Sequence, residues 1–422
     1  MSDIYIFLFI LIAGFFALRN PVIAVCLNIW IDLVKPQAIT LGFMHDKPLS
    51  SVGFAILALS LIINFNKLNF SHLRIHFIFY ILFIPLITYT TYNSHYFDEA
   101  FFKYDWVLKC MLIYILMPTA VNSKKSFEMV FLTFLLSLYF HIIAGGLKTL
   151  LGGGGYGARL SAYTETNVGL GESSTLALIS VISIPMLIFA FTKVNLLKSI
   201  PFKKTIFYFL LTVSLACCIG TFARTGLIGL SVLAFIAIMK SSRKLLYFSA
   251  AVVIAGAVFS LSNDTWKDRM GTLNNASEES SALGRIVVWK WTVDFVIDHP
   301  MGGGFVAYLN NAGLLDLYHD TEVQFGNKAK AFHNIYFEVL GEQGLIGLFL
   351  YLMYFYSAYK ASKLLLNCKQ DWFVEYGNCS YAVIFCLAIC CCFVGVAYQS
   401  FLFIALALNH TSRKVYALQR SD

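Results

Sequence analysis

Charge is the scarcest commodity in this 422-residue chain: only 13% of residues are Asp, Glu, Lys or Arg, while 59% are hydrophobic and 16% aromatic. A soluble domain carries about 25% charged residues, so this composition, with a mean hydropathy of +0.72, excludes a water-exposed globule. The apolar segments need lipid, and a bilayer span takes ~20 of their residues. Segments of ~10 residues with alternating polarity, the mark of a membrane β-barrel, are missing. Ile206–Cys218 and Ala250–Leu261 are continuously apolar instead, so the expected fold is all-α, a polytopic transmembrane helix bundle. The start, Met1-Ser2-Asp3, has no basic n-region, which argues against a cleaved signal peptide. No internal repeat is visible. None of the ten cysteines falls between residues 262 and 332, the longest polar stretch, so a disulfide scaffold there is excluded. Cys390–Cys392 read as small apolar helix residues.

Apolar runs predict spans over 3–18, 21–34, 49–65, 73–90, 101–118, 127–145, 172–192, 203–220, 225–240, 245–261, 335–358, 378–396 and 400–411. The first two are short and meet at Arg19-Asn20-Pro21. They count as one broken unit or two helices, giving 12–13 spans. The run 205–239 is too long for one span and should break near Gly220, Thr221, Arg224 and Gly226, where helix-weakening and charged residues gather.

Orientation follows from Lys and Arg in short loops. Lys67/Arg74, Lys124/Lys125, Lys193/Lys198/Lys203/Lys204, Lys240/Arg243/Lys244, Lys360/Lys363/Lys369 and Arg413/Lys414/Arg420 recur in alternate connections. Those connections are expected to be cytoplasmic. The net charge of +8 is then a topology signal, and nucleic acid is not an expected partner. Three regions result: N-terminal transmembrane helices over 1–261, an external loop over 262–332, and C-terminal helices with a short cytoplasmic tail over 333–422. The loop, with nine acids and six Lys/Arg, is the one connection large enough for a folded cap. Loops of this length are usually functional.

Within it, Ser281–Pro300 has helical apolar spacing, with Arg285 and Trp289 four residues apart on one face. It reads as an amphipathic helix at the membrane surface, ended by Pro300 and Gly302–Gly304. His333-Asn334 then opens a transmembrane helix. A histidine at a helix start is favoured in its neutral, proton-accepting form; its plainer reading is a cap. Arg224 interrupts an apolar run and, like Arg285, has a plainer reading as a cation reaching for headgroups. Two guanidiniums and one imidazole at one interface nevertheless suit an anionic lipid-linked substrate, because arginine binds phosphate bidentately. Gly152–Gly155 lacks the Gly-Lys-Ser/Thr of a phosphate loop and reads as an external loop, with Arg159 a further anion contact. His319, Asp320 and Glu322 are weak metal-ligand candidates without an HExxH motif; no metal and no cofactor is expected.

Three segments carry a family resemblance: FARTGLIGL (Phe222–Leu230), GRIVVWKWTVDFVIDHPMGGGF (Gly284–Phe305) and HNIYFEVLGEQGLIGL (His333–Leu348). Their order and motifs resemble the O-antigen ligase superfamily, which includes O-antigen polymerases and bacterial O-oligosaccharyltransferases. Ala17–Phe43 is similar to a subgroup, the O-glycosylation ligases associated with exosortase systems. Asn167 is the counterpart of that family's Asn/Asp motif after the Gly-rich loop. The resemblance implies an inverting, metal-independent glycosyltransferase of the bacterial inner membrane, its active site facing the periplasm. The donor would be a glycan on undecaprenyl pyrophosphate, the acceptor a hydroxyl on a lipid, polysaccharide or protein Ser/Thr. Arg224 and Arg285 would bind pyrophosphate and His333 would activate the acceptor; Arg159, Asn334 and Asn167 would contact substrate. An O-antigen polymerase is the alternative enzyme. A polyprenyl-glycan transporter is the alternative of another class, disfavoured because no repeat is visible. The topology is checked by reporter fusions at Asn275 and Lys363: the first should report outside the cytoplasm and the second inside, and a cytoplasmic Asn275 would overturn it.

Overall fold

The computed structural model describes residues 2–45, 47–152, 170, 172–244, 249, 280–320 and 323–421. Their regular structure is helical: α1 Ser2–Arg19, α2 Pro21–Val34, α3 Leu49–Ile63, α4 Arg74–Tyr92, α5 Phe97–Ala120, α6 Lys124–Leu150, α7 Ser173–Lys193, α8 Lys203–Gly220, α9 Arg224–Lys240, α10 Ser280–Asp298, α11 Ile335–Leu366, α12 Asp371–Cys390 and α13 Ser400–Ser421. Among the described residues six stretches are long and apolar enough to cross a bilayer, five of them the helices α4, α6, α7, α8 and α11 and the sixth Asp371–Phe393. Helices coincide with twelve of the thirteen expected spans; the expected span 245–261, residue 249 apart, lies outside the described residues. The bundle is an all-α polytopic membrane fold.

Local chemistry sets the helix ends. Asn20 caps α2, its Oδ1 accepting from Val22 N at 3.0 Å, and Pro21 fills the first helical position. The chain reverses there and α1 packs back on α2, so these are two helices rather than one broken span. Ser123 and Ser126 form a reciprocal capping box on α6. The run 205–239 breaks as expected. α8 ends at Gly220, Phe222 turns with φ +54, and α9 starts at Arg224. The Thr221 hydroxyl donates to Cys218 O and accepts from Ala223 N.

In the middle of the bundle, α6, α7 and α8 pack mutually, with α12 against α7 and α9. α6 and α8 approach so closely that a Cβ on Gly146 would lie 2.3 Å from Val213 O, the small-residue contact typical of lipid-embedded helices. Ile4, Leu8, Leu11, Ile12, Phe15 and Phe16 of α1 remain exposed, a surface that only lipid satisfies.

The cap has its own apolar cluster, with Leu283, Val287, Val288 and Trp291 of α10 against Ala307, Leu315, Phe325 and Phe332. It is pinned to the bundle at a break in α11. Gly344 has φ +65 and ψ −165, which interrupts the helix. The carbonyls freed on the cap side accept from the glycine run: Gly303 N bonds Gly341 O and Gly304 N bonds Glu342 O, both at 2.9 Å. Leu345 N returns a bond to Pro300 O at 3.1 Å. Gly302–Gly304 therefore do more than end α10; their backbone satisfies a broken helix. The approach leaves no room for side chains, since a Cβ on Gly344 would lie 2.1 Å from Pro300 O.

Gly344→Ala combines that clash with a left-handed φ and should lower stability by about 2 kcal/mol or more. Gly326→Ala is the control, because Gly326 has φ +59 with nothing within 4 Å of its Cβ position. Thermal melts of the purified variants should show a markedly larger drop for Gly344; equal drops would mean that the docking is not what requires glycine.

Candidate active site

At the cap end of the bundle a cavity of about 340 Å³ is lined by Lys103, Glu172, Tyr308, Phe332, His333, Glu338, Glu342 and Gly395, among others. Four chain segments meet there: α5, the start of α7, the cap with α11, and the connection between α12 and α13.

His333 sits one residue before the α11 cap. Asn334 is the cap itself, its Oδ1 accepting from Tyr336 N at 2.8 Å and Phe337 N at 3.3 Å. The Asn334 oxygen expected to contact substrate is thus occupied in holding the helix. His333 has φ +48, a left-handed conformation that histidine visits more readily than bulky residues. It is fixed from the preceding residue: Trp289 Nε1 donates to Phe332 O at 2.9 Å, and the indole stacks on Phe337 at 5.2 Å with a 3° interplanar angle. Burial first, and next the positive charge of Arg285, hold the half-buried imidazole below its ordinary value; Glu338 opposes them and Lys330 adds to them. The neutral form expected from the helix start is favoured, but by burial and by a neighbouring cation.

Arg285 therefore joins His333 at the site, half-buried on α10. Lys330 is held beside it by two hydrogen bonds to the fully buried Asn311, whose Nδ2 donates to Lys330 O at 2.8 Å and whose Oδ1 accepts from Lys330 N at 2.9 Å. Arg224 opens α9 at the same end of the bundle. The adjacent Thr225 O accepts from the Cys390 thiol, and five residues beyond Cys390 the chain reaches Gly395 in the cavity wall. Arg159 and Asn167 lie outside the described residues, as does Glu322. His319 faces Asp316 at 3.5 Å and the Phe325 ring. Among the described residues no three His, Cys, Asp or Glu side chains cluster as metal ligands.

Sequence reasoning missed the charged floor of the cavity. Lys103 Nζ lies 2.9 Å from both Glu338 Oε1 and Glu342 Oε1. It also faces the rings of Tyr398 at 4.8 Å and Phe305 at 5.5 Å. The carboxylates are further satisfied by backbone: Ala397 N donates to Glu338 Oε2 at 3.1 Å and Val306 N to Glu342 Oε1 at 2.9 Å. Glu338 thus shares the cavity of His333. Glu338 and Glu342 are spaced i, i+4 on one α11 face; that spacing was legible. Their lysine, more than 230 residues earlier, was not.

Breaking a buried ion network by removing one partner costs about 3–5 kcal/mol. Lys103→Met should therefore lower the melting temperature sharply, and adding Glu342→Gln should recover part of the loss. An unchanged melt for Lys103→Met would show that the cluster does not hold the site together.

Residues 207–352 match a family model described as O-antigen ligase. Residues 1–195 match a family of unknown function, DUF5935. A comparison with curated proteins found no match. The O-antigen ligase match takes in Arg224, Arg285, His333, Glu338 and Glu342, and Lys103 falls in the other segment.

Proposed function

We propose, from the match of residues 207–352 to a family model described as O-antigen ligase, that this membrane protein transfers a glycan from undecaprenyl pyrophosphate to an acceptor hydroxyl at the cap side of the inner membrane, in the periplasm. The observation that carries the reading is His333: a half-buried imidazole favoured neutral, beside Arg285 and on the wall of a cavity open enough for substrate. In this reading the acceptor oxygen attacks the sugar C1 as the C1–O bond to the diphosphate breaks. The acceptor proton goes to His333, and the electron pair of the broken bond leaves on the diphosphate. Arg285 and Arg224 stabilise that charge; Arg159 and Asn167 would extend the contacts. No metal is needed in this scheme, because two guanidiniums supply the counter-charge. Lys103 balances one of the two floor carboxylates, which lessens their repulsion of an anionic donor.

The test uses purified protein, the lipid-linked glycan, and glycan, lipid or Ser/Thr-peptide acceptors. A general base contributes about 10²–10⁴-fold, so His333→Ala should lose turnover by that factor while donor binding persists. Loss of binding together with turnover would make His333 a donor ligand instead. Arg285→Ala and Arg224→Ala should each lose about tenfold to a few hundredfold, from ~1.5–3 kcal/mol per charged hydrogen bond, with poor rescue by lysine. Turnover should fall on the acid side with a midpoint below 6.5, the ordinary histidine value, since only neutral imidazole accepts the proton. Arg285→Gln removes a cation that disfavours imidazolium, so it should move that midpoint upward; a midpoint that stays put would remove the Arg285–His333 coupling. Extension of a second lipid-linked glycan, with no other acceptor used, would identify a polymerase.

A further inference from the structure

A second cavity, of about 110 Å³, lies between α2, α5 and the start of α13, with Leu33, Ile113, Leu170 and Phe401 in its wall beside the polar residues. Its wall carries Asn28, Asp32 and Lys35 from the NIWIDLVKP segment, Trp106 and Lys109 from α5, and Gln399. Nothing in the transfer chemistry uses these residues. Asn28 is only 1% exposed, and its Oδ1 has no hydrogen-bond partner among the described residues. An acceptor left unsatisfied in a buried wall is expensive, and this one belongs to a residue that borders the cavity. Asp32 accepts from the Tyr114 hydroxyl at 2.7 Å, which fixes the carboxylate.

The charges of the wall cancel. Lys109 pairs with Asp105 at 2.6 Å, and Lys35 lies in the field of Asp32. A diphosphate needs surplus cations and finds none here. Uncharged hydroxyls suit the site, where the Gln399 amide, the Asp32 carboxylate and the Trp106 indole line the wall. At ~10–15 Å³ per enclosed water, the cavity has room for one small hydroxyl-rich unit.

Its position relates it to the active site. Lys103 and Trp106 lie three residues apart on one face of α5, a rise of about 4.5 Å. The connection that gives Gly395 to the catalytic cavity gives Gln399 to this one. We propose that this second cavity, formed largely by the N-terminal segment of unknown function, is a binding subsite for an uncharged sugar unit of the acceptor glycan, seated next to the point of transfer. The assignment to the acceptor rests on the glycan-transfer reading; the existence of a neutral-sugar site does not.

The probes are methyl glycosides of glucose, galactose and N-acetylglucosamine, followed by saturation-transfer NMR on the purified full chain, with inorganic pyrophosphate as a separate probe of the arginine site. At least one glycoside should bind wild type. Its affinity should drop about tenfold or more in Asn28→Ala, Trp106→Ala and Gln399→Ala, each removing one or two contacts. Gln399→Ala guards against misfolding, because the Gln399 N–Val396 O and Leu402 N–Gln399 O backbone bonds are retained. Pyrophosphate should bind alongside the glycoside and be insensitive to these changes. No glycoside binding to wild type, or binding untouched by all three variants, overturns the site. Displacement of the glycoside by the lipid-linked donor overturns its assignment to the acceptor. A wild type that binds glycoside but not pyrophosphate contradicts the transfer reading and leaves the sugar site standing.

Discussion

The ammonium of Lys103 lies between two carboxylates that reach it from successive turns of α11, and two aromatic rings close the remaining sides. Glu342 has no exposed side-chain surface, so its charge is tolerable only with that partner in place. Each carboxylate also takes a backbone amide, one from Val306 in the cap and one from Ala397 in the connection to α13. One lysine thereby sets the mutual position of α5, α11, the cap and the last connection. Those are the segments that wall the candidate active site, and a site made from such distant pieces of chain needs a device of this kind.

The break at Gly344 serves the same end from the opposite direction. A continuous α11 would keep its carbonyls to itself and offer the cap nothing to bind. Interrupting the helix exposes acceptors on Gly341 and Glu342, and the backbone of Gly303 and Gly304 takes them. Thr90 reinforces the seam, its hydroxyl donating to Gln343 Oε1 at 2.6 Å. The cap is therefore anchored by main-chain bonds, while Trp289, bonded to Phe332 O and stacked on Phe337, fixes the approach to His333. Preorganisation of the imidazole follows from these contacts and needs no ligand.

What the sequence made legible followed a simple physical rule. Apolar runs declared the helices, because lipid leaves a backbone few other choices. The break between Gly220 and Arg224 was legible because charge and weak helix formers coincide there. The cap was legible as a long polar stretch, and the pairing of Arg285 with His333 as a shared interface. What stayed hidden needed contacts between remote segments. Lys103 reads as one more charge at a helix start until α11 is laid against α5. The glycine run reads as a helix stop until the interruption at Gly344 supplies its hydrogen-bond partners. Helix periodicity alone says nothing of a chain that wraps back, as it does at Gly395, where an added Cβ would lie 3.6 Å from Glu338 Oε2 and 3.7 Å from His333 N.

The two matched segments are therefore not independent modules. The ligase segment supplies the imidazole, the guanidiniums and the paired carboxylates, but the cation that makes those carboxylates tolerable comes from the segment of unknown function. α5 holds that cation on the face that, one turn further on, carries Trp106 into the second cavity. The N-terminal helices thus line both cavities. A ligase segment transplanted without them would bury an unbalanced pair of acids beneath its own histidine. Buried like charges without a counter-ion either take up protons or disrupt the packing around them. Either outcome would alter the electrostatics on which a neutral His333 depends, so the association of these two segments in one chain has a direct electrostatic basis.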